Sequence, residues 1–85
     1  MYKLSNDAIE VISAVIKDSK KDYKISSKNE MIEFCFVISF AMGMAKKESD
    51  KEQEEKIKKV NATLKEIGDN LEDIDYEDLN KRISL

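Results

Sequence analysis

Between Met31 and Ala45 the chain is apolar at nearly every position, interrupted only by Glu33, Ser39 and Gly43, and all three of its phenylalanines (Phe34, Phe36 and Phe40) fall there. Wound as a helix, these residues cover every side, so no single amphipathic stripe describes them and the element must be surrounded. A strand is the rival, because Phe34, Phe36, Ile38 and Phe40 alternate, but it would be unusually long. The beginning of the run favours helix. Ser27 followed three residues later by Glu30 forms a capping box, Ser26 is a second cap candidate, and Asn29, Glu30 and Glu33 suit the positive end of a helix dipole. Lys46 and Lys47 suit the negative end, so the expected helix covers about residues 28–47. The run is shorter than the roughly 18 apolar residues of a membrane span and contains a carboxylate. No membrane element is expected.

The flanking pattern predicts more helices. After a short extended lead, Met1 to Leu4, Ser5 or Asn6 caps a helix in which Ile9, Ile12 and Ile16 recur at helical spacing, with Ala8, Val11 and Val15 widening the same face. Residues 18–26 lose that periodicity and form a connection, beneath which Tyr23 and Ile25 should tuck. Residues 46–56 are almost wholly charged. Glu52–Lys56, Glu54–Lys58 and Glu55–Lys59 are favourable helical pairs there, and a break near Ser49 or Asp50 is preferred to one continuous helix. From Ile57 a seam of Val60, Leu64, Ile67, Leu71 and Ile74 alternates three and four residues apart. Gly68 interrupts it, and Asp69 with Glu72 offers a fresh capping box, so this helix is expected to end near Ile67. A short terminal helix then covers Tyr76 to Ile83. The predicted fold is all-α: one domain over residues 1–85, three to four helices around a central apolar helix, at most one short N-terminal strand. It divides into a core helix pair (1–47) and a charged helix with an acidic C-terminal segment (48–85).

Composition sharpens this picture. A chain of 85 residues buries a modest fraction of its surface, so self-association is a natural remedy, and Phe34, Phe36, Val37, Phe40 and Met44 are the expected oligomer interface. The content of charged residues is 39%, with two glycines and no proline, which suits helices joined by short connections. The net charge of −3 argues against broad attraction to polyanions but leaves room for a local basic patch. Lys17, Lys20, Lys21, Lys24 and Lys28 form such a cluster in the first half, whereas residues 69–78 hold Asp69, Glu72, Asp73, Asp75, Glu77 and Asp78 with no base.

Histidine is absent and Cys35 is the only cysteine, which removes the usual zinc and haem sites and any Cys-His or Ser-His nucleophile pair. Cys35 itself reads as a small buried hydrophobe. The acidic cluster lacks the aspartate spacing and central glycine of an EF-hand loop. No phosphate-cradling glycine loop is present. The expectation is therefore no catalytic residue, no metal, no cofactor and no small-molecule substrate. The N-terminus shows no signal-peptide pattern, so a cytoplasmic location is expected.

The order "YKLS", "NDAIEVISAVIK", "SSKNE", "MIEFCFVISFAMGM" over residues 2–47 resembles the DNA sulfur modification protein DndE family and ribbon-helix-helix regulators. The matching positions are Leu4, Ser5, Asn29 and Cys35. Only Met1 to Leu4 precede the first helix, fewer than a ribbon-helix-helix strand supplies, and the acidic second half has no counterpart. The resemblance to DndE implies a helical oligomer that binds duplex DNA, nicked DNA in particular, as an accessory to phosphorothioate modification. Lys3, Lys17, Lys20, Lys21 and Lys24 are then the phosphate contacts. The alternative is a protein-interaction module or inhibitor whose acidic residues Asp73, Asp75, Glu77 and Asp78 dock a basic partner.

Overall fold

Ser5 begins the first helix by accepting a hydrogen bond from the Ala8 amide at 3.2 Å on its hydroxyl oxygen. The computed structural model describes residues 1–19, 23–45 and 51–83, with side chains placed for 1–19, 23–41 and 54–83. Within them lie α1 (Asn6–Ser19), α2 (Lys28–Ala45), α3 (Lys51–Asn70) and α4 (Tyr76–Ile83). Among the described residues the regular elements are all helices, and the lead adds one bridge. There Tyr2 pairs with Ile74 in one isolated parallel bridge, its amide donating to the Asp73 carbonyl at 2.6 Å and its carbonyl accepting from the Asp75 amide at 2.8 Å.

The expected cap of α2 is present. The Glu30 amide donates to the Ser27 hydroxyl oxygen at 3.3 Å, and the Met31 amide donates to the Ser27 carbonyl at 3.0 Å. Gly43 lies inside α2, which runs to Ala45. The join between α2 and α3, with the expected break at Ser49 or Asp50, lies outside the described residues.

Two expectations for the second half need correction. The third helix does not stop near Ile67 but continues to Asn70. Gly68 is solvent-exposed with open space around it, so the helix passes through it at a cost in backbone entropy rather than a steric one. The Asp69/Glu72 box does not form either. Asp75 caps the last helix instead, taking the Asp78 amide at 3.1 Å on its carboxylate, while its carbonyl receives the Leu79 amide at 3.0 Å. Glu77 and Asp78 in the first turn and Lys81 and Arg82 in the last complement the α4 dipole.

The core gathers one face from each helix, the lead, and the connections before α2 and before α4. Ala8 and Ile12 of α1, Met31, Phe34 and Ile38 of α2, Ile67 of α3 and Leu79 of α4 are buried together with Leu4, Ile25 and Ile74. Tyr23 packs edge-on against Phe34, ring centroids 5.3 Å apart and planes at 71°, so the connection does tuck Tyr23 and Ile25 under itself. α1 packs on all three other helices, most extensively on α3, while α2 packs on α1 and α3. The radius of gyration is 12.4 Å. A folded chain of this length is expected near about 12 Å, so the charged third helix packs back on its own subunit and does not project as an arm.

Long-range hydrogen bonds tie the ends of the chain to this core. The Asn80 side chain acts like an extra strand residue: its Oδ1 accepts from the Ile25 amide at 2.9 Å and its Nδ2 donates to the Ile25 carbonyl at 2.6 Å. Arg82 donates to the Leu4 carbonyl at 2.6 Å and to Asn6 Oδ1 at 2.8 Å. Glu66 of α3 receives the Ser5 amide and hydroxyl, each at 2.8 Å. Thr63, the buried polar residue of the core, donates its hydroxyl to the Lys59 carbonyl at 2.9 Å.

Candidate functional site

Lys3, Lys17 and Lys24 are exposed, and none of the three has an acidic partner among the described residues. Lys56, Lys58 and Lys65 on α3 share that state. Other cations are engaged within the fold. Lys28 pairs with Glu72 at 3.0 Å, Lys81 with Glu77 at 3.6 Å, and Arg82 with Asp78 at 3.3 Å. Lys59 reaches across to α1, meeting Glu10 at 2.9 Å and Asp7 at 3.8 Å. That corrects the expected Glu55–Lys59 pair: the helix surface there faces α1, and two carboxylates near its start outweigh one along the same helix. The hydrogen bond from Lys59 to Glu10 holds its ammonium pKa above the ordinary value, against the opposing effect of burial. Lys20 and Lys21, which join Lys17 to Lys24 in sequence, lie outside the described residues.

The acidic segment is less available than its sequence suggests. Asp75 caps α4 and Asp78 pairs with Arg82, both half-buried, and Glu77 pairs with Lys81. Among the four proposed docking acids, Asp73 alone has a side chain with no ion pair or cap to the described residues. Each surface pair contributes little stability on its own, about 1 kcal/mol or less. Asp75 and Asp78 are held at α4, whereas Glu77, 83% exposed in its contact with Lys81, still faces solvent.

The residues expected at the oligomer interface separate. Phe34 is only 2% exposed and belongs to the protomer's own core, and Val37 is half-buried. Phe36 and Phe40, by contrast, are 71% and 72% exposed. Ile32, not among the expected interface residues, joins them at 37%. Four residues apart on one helix, these three form a stripe on the side of α2 opposite Met31, Phe34 and Ile38. Helical spacing could have separated the two faces, but a run apolar all round gives no contrast from which to read an outside. The side chain of Met44 lies outside the described ones. Glu33 is exposed beside the stripe, as expected for a carboxylate in this helix.

Between α1, α2 and α3 lies an open groove of about 430 Å³. Val11, Val15, Ile38 and Val60 form its apolar floor, and Glu10 and Lys59 meet each other at its rim. Asp18 and Lys56 also line the groove, so its four charged residues sum to no net charge that would attract an ion. Cys35 is a free, half-buried thiol whose pKa burial pushes up, which lowers its thiolate fraction and so its reactivity. Burial likewise raises the Tyr76 phenol, and burial together with Glu66 raises that of Tyr2.

Among the described residues no group of three potential ligands could hold a metal ion, and no helix is long and apolar enough to cross a membrane. No protein-family model matches the chain, and no curated protein or solved structure matches it at a significant level.

Proposed function

We propose that the chain is a non-enzymatic, oligomeric helical protein that binds duplex DNA as an accessory in DNA modification, of the phosphorothioate kind, or in transcription regulation. The observation behind this reading is the contrast between its two charged regions. Lys3, Lys17 and Lys24 are exposed and have no acidic partner among the described residues, while Asp75, Glu77 and Asp78 are engaged by their own chain. The resemblance of residues 2–47 to the DndE family supports the choice of DNA over other polyanions.

A net charge of −3 does not prevent this. At physiological salt, charges farther apart than about 8 Å are largely screened, so phosphates respond to the lysines nearest them. Contacts of this kind supply affinity without base specificity. Neutralising about three to five phosphates per chain would give a salt slope of roughly −3 to −4.5 on a log–log plot.

Reversal of the lysine charges tests the reading. Lys17→Glu with Lys24→Glu, and separately Lys20→Glu with Lys21→Glu, should each weaken duplex binding at least about tenfold in a gel-shift titration at fixed salt. Asp73→Lys should leave binding unchanged or tighten it. Unaltered duplex affinity in both lysine variants would defeat the proposal and return attention to the acidic segment as a docking surface for a basic protein.

A further inference from the structure

We infer that the two ends of the chain, residues 1–4 and 71–83, form one clasp that opens and closes as a unit on a body made of α1, α2 and α3. The device is independent of the DNA reading above.

Neither end holds its shape alone. α4 has eight residues, too few for a helix to persist unsupported in water. Among the described residues its backbone comes close only to that of α1, and Leu79 is its one buried side chain. The lead is extended, and its pairing is the single bridge from Tyr2 to Ile74. Each end supplies what the other lacks. The Asp73 carbonyl and the Asp75 amide take the two backbone groups of Tyr2, and Arg82 holds the carbonyl of Leu4. Leu4, Ile74 and Leu79 are buried in one cluster, so none can leave without stripping apolar cover from the others.

The attachments to the body are few and polar. Arg82 donates to Asn6 at the start of α1 at 2.8 Å, and the Asn80 carboxamide takes both backbone groups of Ile25. The two points where the chain leaves the body converge on one residue. Ser5, where the lead enters α1, is held by the Glu66 carboxylate, and Asn70, the last residue of α3, donates its side-chain amide to the Glu66 carbonyl at 2.9 Å. Glu66 thus fixes both hinges.

Behind them the body keeps an apolar core of its own in Ile12, Met31, Phe34, Ile38 and Ile67. Opening the clasp therefore takes less free energy than unfolding the chain, since elements with few buried contacts open first. It also leaves a reporter behind. The Ile25 amide belongs to the connection before α2, yet its acceptor is Asn80 Oδ1, so it loses protection when α4 departs.

Native-state hydrogen exchange of the full chain, read at single amides by NMR in low, rising denaturant, tests the inference. The amides of Tyr2, Ile25, Asp75 and Leu79 should share one opening constant, at least about tenfold larger than that of Ile12 and Ile38. Ile38→Val weakens the body in the open and closed forms alike, so it should speed exchange at Ile12 about two- to tenfold and leave those four amides unchanged. Arg82→Met should speed exchange at Tyr2 and Ile25 by one common factor of about tenfold or more. Four amides protected as fully as Ile12 and Ile38 would overturn the inference. So would opening constants that differ between Tyr2 and Leu79, an Ile38→Val effect that reaches the four in step with Ile12, or an Arg82→Met effect confined to α4.

Discussion

At the scale of single residues, the fold relies on a few polar side chains that substitute for backbone. Asn80 satisfies both the amide and the carbonyl of Ile25, a residue that is 1% exposed and so has no water to replace them. Asn80→Ala should therefore cost about 2 kcal/mol and lower the melting temperature by roughly 10 °C in a calorimetric scan. A loss below a few tenths of a kcal/mol would show that the connection adjusts. The titrating groups make a second prediction. Tyr2, Cys35, Lys59 and Tyr76 all have raised pKa values, so the folded chain holds protons that the unfolded chain releases first. Stability from these groups is complete below their unfolded pKa values and falls as pH rises through the folded ones. Melting temperature should be level between about pH 6 and 8 and decline above about pH 9. A rise there would contradict these assignments.

At the scale of elements, caps made the helices legible. Ser5 and Ser27 mark the starts of α1 and α2 in sequence and in structure, because a cap is a local contract between neighbouring residues. Gly68 does not end α3, since packing on both sides can carry a helix through a glycine and the sequence alone does not reveal that packing. Ile67 before it and Leu71 and Ile74 after it all join the core, and that burial outweighs the propensity of one residue. With open space around Gly68, Gly68→Ala should raise stability by about 0.5–1 kcal/mol, seen as roughly 3–6 °C in thermal denaturation. A destabilised variant would mean that the position needs a conformation alanine avoids. Asp75 as the cap of α4 was readable in principle from Asp75 and Asp78 three residues apart. It was hidden by the equally plausible spacing of Asp69 and Glu72.

At the scale of the whole molecule, sequence reading ran out where topology decides. The all-helical class followed from periodicity and composition. Which face of α2 turns outward did not, because Phe34 and Phe36 are chemically identical and only the placement of α1 and α3 separates a buried ring from an exposed one. The pairing of Lys59 with α1, the hold of Arg82 on Leu4, and the engagement of Asp75 and Asp78 are likewise invisible before the chain is folded. Together they bear on the proposed function: Asp75 and Asp78 serve the fold, whereas Lys3, Lys17 and Lys24 have no acidic partner among the described residues. Fluorescence anisotropy of a labelled duplex, intact and nicked, titrated at two salt concentrations with the oligomeric mass recorded alongside, tests that function most directly. The account predicts binding that favours the nick and weakens steeply with salt, whereas no binding even at low salt would contradict it.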